Sequence, residues 1–171
     1  MGLAWGKRVS EEFRRRLADI AIDIDVPADF LMACIAFESG REFKPGTKNM
    51  AGSGAVGLIQ FMPSTAILLG TTTKALAAMS AEDQLHYVKQ YFLPYRGRLR
   101  TLEDVYMAIL WPRAIGKPLD YVLFDSETKP TTYRQNASLD FDKDGRITKE
   151  EAAARVRAEY ERGMRPENVS D

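Results

Sequence analysis

A single, mainly α-helical domain is predicted by three features of the sequence. Apolar residues recur at alternating four-and-three spacing behind Ser and Thr caps, one long apolar run reads as a buried helix, and no internal repeat is present. With 171 residues, 45% of them hydrophobic and 28% charged, the chain can fill one core but is short for two.

Ser10 caps the first helix, whose apolar face is Phe13, Leu17, Ile20 and Ile24. Pro27 suits the first turn of the second helix, with Asp25 or Val26 at the cap position. That helix carries Phe30-Leu31-Met32-Ala33-Cys34-Ile35-Ala36-Phe37, apolar on every side, as in a helix buried in the middle of a domain. Its length and its Leu, Met and Ala favour helix over strand. Residues 40–57 hold Gly40, Pro45, Gly46, Gly52, Gly54 and Gly57 and form a loop with room for a short hairpin. A helix then starts near Met62-Pro63 and stops at Gly70. Ser80 caps the next, with Leu85, Val88, Phe92 and Tyr95 on one face and Pro94 near its end. Thr101 and Asp104 have the spacing of a capping box before Val105-Tyr106-Met107-Ala108-Ile109-Leu110, which Pro112 closes. Residues 113–139 read as mixed loop and short helix, and residues 149–162 as the last helix.

Lys plus Arg and Asp plus Glu both number 24, so there is no basic field of the kind that non-specific nucleic-acid binding uses. Cys34 is the one cysteine, which excludes an internal disulfide, and its apolar setting makes it a small buried hydrophobe. The lone His86 argues against zinc. The first residues, Met1-Gly2-Leu3-Ala4-Trp5-Gly6-Lys7-Arg8, lack the pattern of a signal peptide, and no apolar run approaches the roughly 20 residues a membrane span needs. The expectation is a monomer made in the cytoplasm, with no integral membrane segment. Trp5 and Trp111 are either sugar-stacking or core residues, and Arg96, Arg98 and Arg100 read as a solvated basic run.

Chemistry concentrates at Glu38. Phe30, Cys34 and Glu38 lie four residues apart on one helical face, so the carboxyl leaves the core partly desolvated, which favours the protonated form a general acid needs. Gly52, Gly54 and Gly57 allow a ligand close to the backbone, and Gln60 offers an amide donor and acceptor for sugar hydroxyl or acetamido groups.

Glu38-Ser39, followed by Gly54-Ala55-Val56-Gly57-Leu58-Ile59-Gln60-Phe61-Met62-Pro63-Ser64-Thr65-Ala66, resembles the Glu-Ser and Gly-Leu-Met-Gln motifs of the lytic transglycosylases. These are the lysozyme-like, peptidoglycan-cleaving enzymes, and the likeness is closest to forms encoded by bacteriophages and prophages. It spans about residues 10–125, with Ile59 in place of the motif's methionine. The resemblance implies a lysozyme-like fold, Glu38 as the single acid/base, and a glycan groove lined by Ser39, Gly57, Leu58, Ile59 and Gln60. It further implies cleavage between N-acetylmuramic acid and N-acetylglucosamine with formation of a 1,6-anhydro sugar, after release to the cell wall or as part of a virion. Where the family commonly has Ala-Tyr-Asn-Ala-Gly, this chain has Val105-Tyr106-Met107-Ala108-Ile109-Leu110-Trp111-Pro112. Tyr106 is the nearest candidate to orient substrate and is equally a core tyrosine. A hydrolase of the same fold would need a second carboxylate, for which Asp29 and Glu42 are candidates. An inactive glycan-binding or virion protein is the other alternative.

Asp140-Phe141-Asp142-Lys143-Asp144-Gly145-Arg146-Ile147-Thr148-Lys149-Glu150-Glu151 fits the EF-hand calcium loop. Asp140, Asp142, Asp144 and Glu151 supply carboxylates at positions 1, 3, 5 and 12, Arg146 its carbonyl, and Gly145 the sharp turn. A capped acidic turn, with Thr148 and Glu151 as a capping box, is the alternative. Only one such loop is present, which suits a structural clip on a C-terminal extension over 130–171, packed on the same domain as the glycan-cleaving part over 1–129.

Overall fold

The periodic apolar face becomes the buried side of α1 (Glu11–Ile24), where Ser10 Oγ accepts the Phe13 N–H at 3.0 Å. A computed structural model describes residues 2–171. Asp25 ends α1 in the left-handed region at φ 58°, and α2 (Ala28–Glu38) starts behind Pro27 without a side-chain cap. The expected cap at Asp25 or Val26 is therefore absent: Asp25 closes one helix rather than opening the next.

Residues 31–36 of α2 are all buried, which explains a helix with no polar face. It packs against α1, α6 (Leu102–Leu110) and α8 (Lys149–Gly163). The glycine-rich loop leads to α3 (Pro63–Leu68), stopped by Gly70 at φ 81°, and then to α4 (Thr73–Ala78), capped by Thr72. Ser80 caps α5 (Ala81–Phe92), which packs on α1. Tyr95 falls outside α5, in a 3₁₀ turn at Leu93–Tyr95, because Pro94 cannot continue the α-helical ladder.

Residues 113–139 contain one element that the sequence did not announce. β1 (Val122–Asp125) pairs antiparallel with β2 (Arg146–Thr148), and α7 (Pro130–Gln135) lies between them in the chain. Strands of four and three residues are too short to show a period, so only their pairing reveals them.

The C-terminal helix packs into the core shared with the preceding helices. Ala152, Ala153 and Val156 of α8 join the same core as α2. Trp5 is fully buried, its indole N–H donating to the Glu159 carbonyl at 2.9 Å, and a Cβ on Gly163 would meet its ring at 2.4 Å. Sugar stacking by Trp5 is thereby excluded. Trp111 is half-buried, edge-on to Phe124 at 4.9 Å, with the Lys129 ammonium over its ring.

Thr101 caps α6, but Asp104 does not close the expected capping box. Its carboxylate instead accepts from Lys149 Nζ at 2.5 Å, Gly116 N–H at 2.8 Å and Arg100 N–H at 3.1 Å. Both side chains are buried, and Lys149 also donates to the Lys117 carbonyl at 2.8 Å. The pair ties the first residue of α8 to the first turn of α6. Burial opposes ionisation of Asp104, yet the bonds from Lys149, Gly116 and Arg100 outweigh it and hold its pKa below the usual carboxylate range. Among the described residues, no helix is long and apolar enough to cross a membrane.

Lys149→Met leaves Asp104 buried without its counter-charge, so urea denaturation at neutral pH should show a loss of about 3–5 kcal/mol. The loss should shrink as pH falls through the depressed Asp104 pKa, where the unmodified pair also fails.

Candidate active site

Glu38 is the last residue of α2, and the turn after it is fixed from inside. Ser39 is fully buried; its hydroxyl donates to the Ile35 carbonyl at 2.7 Å and accepts the Phe43 N–H at 3.1 Å. Gly40, Arg41 and Phe43 all take positive φ, at 59°, 66° and 53°, which folds the chain sharply back. Arg41 then clamps Glu159 of α8 through Nε at 3.0 Å and Nη2 at 2.7 Å. Ser39 therefore holds the helix end, and it lines the cavity beside Glu38.

The Glu38 carboxyl is half-buried and lines a cavity of about 880 Å³ with Phe37, Glu42, Lys44, Thr47, Lys48 and Gln60. Among the described residues it has no ion-pair partner, and burial alone raises its pKa to about 8. A carboxyl of this kind is protonated at neutral pH and can deliver that proton to a basic leaving oxygen.

Three further groups sense the same carboxyl. Tyr106 is buried with its ring edge-on to Phe37 at 5.6 Å, and burial, then Glu38, then Cys34 raise its pKa. Cys34 is fully buried one turn before Glu38, and burial followed by the Glu38 charge pushes its thiol well up. Tyr91 donates to the Ala108 carbonyl at 2.6 Å, and its pKa is raised by burial, then by Tyr95 and Glu38. Tyr91 was not anticipated. The usable signal was a tyrosine on an otherwise apolar helix face, whose hydroxyl must find a partner.

The glycine-rich loop folds on itself through bridges between Lys48 and Val56 and between Val56 and Phe61. Gln60 sits at φ 55° and donates through Nε2 to the Thr47 carbonyl at 3.0 Å and the Gly57 carbonyl at 3.1 Å. Its amide nitrogen holds the loop, leaving Oε1 as the atom available to a ligand.

Gly57, Leu58 and Ile59 do not line the groove as the resemblance implied. Gly57, at φ 91°, is buried, and a Cβ there would meet Gln84 Oε1 at 2.4 Å. The close approach it permits is therefore to Gln84 rather than to a sugar. Leu58 and Ile59 point into the core, and Leu58 N–H donates to the same Gln84 oxygen at 2.8 Å. Gln84 is fully buried, and its Nε2 donates to the Pro45 and Leu76 carbonyls, both at 3.0 Å. This glutamine, which sequence reading missed, anchors the loop to α5.

Asp29 is excluded as a second carboxylate for Glu38. It stands nine residues earlier on α2, about 14 Å along the axis, and accepts the Ala4 N–H at 2.8 Å. Glu42 shares the cavity, with its carboxylate accepting from the Thr47 hydroxyl at 2.9 Å.

In the C-terminal loop, Asp140, Asp142, Asp144 and Glu151 bring one carboxylate oxygen each to within 4.8 Å of one another. Glu151 also accepts Thr148 N–H at 3.1 Å and Phe141 N–H at 3.0 Å, while Thr148 Oγ1 accepts Glu151 N–H at 3.2 Å. The capping box and the acidic cluster are thus built from the same residue. Tyr133 donates to Asp140 at 2.6 Å, and the Arg146 side chain pairs with Asp125 at 3.3 Å.

This geometry gives a protonated carboxyl over a cavity, backed by a folded glycine loop. Residues 21–89 match the family model of the transglycosylase SLT domain. The SLT match takes in Glu38, the glycine loop and Gln84, and stops before Tyr106 and the acidic loop. It supports the lytic transglycosylase family and peptidoglycan as substrate. No curated protein gave a match.

The raised Glu38 pKa has a consequence for stability. Between the unfolded glutamate pKa, about 4.3, and about 8, the unfolded chain is ionised here while the folded chain stays protonated, so rising pH favours unfolding through this group. Glu38→Gln lacks that term. Its melting temperature relative to the unmodified protein should climb between pH 4.5 and 8 and level off above, as read by calorimetry across that range.

Proposed function

We propose that this protein is a peptidoglycan lytic transglycosylase with Glu38 as its single acid/base. The observation that carries the reading is the Glu38 carboxyl, raised to a pKa of about 8 by burial alone and open to a cavity of about 880 Å³. Glu38 donates its proton to the glycosidic oxygen between N-acetylmuramic acid and N-acetylglucosamine, and the C1–O bond breaks. The resulting carboxylate takes the proton of the muramoyl C6 hydroxyl as that oxygen bonds to C1. Glu38 is protonated again at the end, no water is consumed, and the product carries a 1,6-anhydro ring. Gln60 Oε1 accepts from a sugar hydroxyl or acetamido group, and Tyr106 sets the position of Phe37 at the cavity wall. The likeness to phage and prophage forms supports a role in cell-wall lysis, reached by release from the cytoplasm or as a virion component.

Glu42 favours one second reading. A carboxylate in the same cavity makes a muramidase-type hydrolase possible if Glu42 activates water. Engagement by Thr47 argues for a ligand-positioning part instead.

For the acidic loop we propose a structural calcium ion. Four convergent carboxylates without a cation among the described side chains to neutralise them fit a hard, oxygen-seeking ion. Asp140, Asp142, Asp144, Glu151 and the Arg146 carbonyl would hold it.

Glu38→Gln should cut cleavage of purified peptidoglycan by at least 10²- to 10⁴-fold with the circular dichroism spectrum unchanged. Mass spectrometry of products from the unmodified protein should show anhydromuramoyl ends; new reducing ends alone would make it a hydrolase. Calcium at about one hundred times its dissociation constant should add about 2.7 kcal/mol of stability. Chelator, or Asp142→Ala with Glu151→Gln, should abolish that gain, and calorimetry showing no calcium binding would leave only the capped turn.

A further inference from the structure

A second hollow of about 520 Å³ adjoins the Glu38 cavity, and Lys48 and Asn49 line both. Its other walls are Gly52, Gly54, Ala55 and Val56 of the glycine-rich loop and the face of α4 carrying Thr73, Lys74 and Ala77. No acidic residue lines it. Lys48 and Lys74 are exposed and form no ion pair with any described residue. The backbone N–H of Gly54, on the same wall, donates to no described acceptor. The hollow thus offers two free ammonium groups and a free amide donor, with nothing of negative charge. That set is complementary to a short anionic peptide, which presents carboxylates and carbonyls.

The proposed substrate carries such a peptide. Its stem hangs from the lactyl group of the muramoyl sugar, the sugar whose C1 reacts at Glu38. A stem site must therefore abut the catalytic cavity, as this hollow does at Lys48 and Asn49. We infer that the Lys48–Lys74 hollow binds the anionic stem peptide of the muramoyl residue being cleaved, so that the protein prefers peptide-bearing glycan over bare glycan. The inference rests on the reading of Glu38 as the peptidoglycan-cleaving group.

Binding of Glu38→Gln, which holds substrate without turning it over, is compared by calorimetry on two probes. One is a glycan oligomer with its stem peptides, the other the same oligomer stripped of them by amidase. The peptide-bearing probe should bind about three- to tenfold tighter at low salt, the range expected for two exposed charge contacts. Adding Lys48→Gln and Lys74→Gln should bring the ratio to near one, as should 0.5 M salt. Arg15→Gln, which removes a single positive charge on α1, should leave it intact, whereas either lysine substitution alone should lower it. Equal affinities for the two probes, or a preference untouched by the lysine substitutions, would overturn the inference while normal cleavage by the unmodified protein upheld the Glu38 reading. If the unmodified protein neither bound nor cleaved either probe, both would fall.

Discussion

Burial of α2 on every side is the constraint on which the rest depends. Residues 31–36 have no solvent-facing side, so α1, α6 and α8 must all close over them. A helix so enclosed delivers its last residue from apolar surroundings into a cavity, and that exit gives Glu38 its raised pKa. The raised pKa is therefore inherited from packing, with no neighbouring charge arranged to produce it. The cost falls on the folded state, which keeps a group that would rather ionise in water.

The elements around that helix are secured by buried and partly buried polar contacts in place of disulfides. Asp104 with Lys149 fixes α8 to α6, and Arg41 with Glu159 fixes the turn after Glu38 to α8. Gln84 fixes the glycine loop to α5 and α4 through three bonds. Each joins segments far apart in the chain. α8 takes part in two of the three, so the C-terminal residues brace the turn that follows Glu38.

Helices with caps and regular faces were legible in the sequence, as α1, α5 and α6 show. Glu38 was legible because an acidic residue ending an apolar helix is unusual in itself. What escaped were features defined by partners distant in the chain. Gly57 looked like a place for a ligand because a glycine declares the need for space but not what fills it, and Gln84 fills it. Asp104 looked like half of a capping box because its spacing was right, while its actual partner lies 45 residues away. Leu58 and Ile59 lie within the stretch whose resemblance implied a sugar groove, yet their side chains serve the core. β1 and β2 carried too few residues for any period to be read.

Cys34 gives the packing around Glu38 a use in the laboratory. Its thiol is wholly enclosed and shifted away from the reactive thiolate, so an alkylating reagent reaches it only when the helices over α2 part. It is the chain's one cysteine, so the whole signal comes from a single place. The labelling rate becomes a clock for how often the wall behind the acid opens, read from the natural sequence without adding a probe.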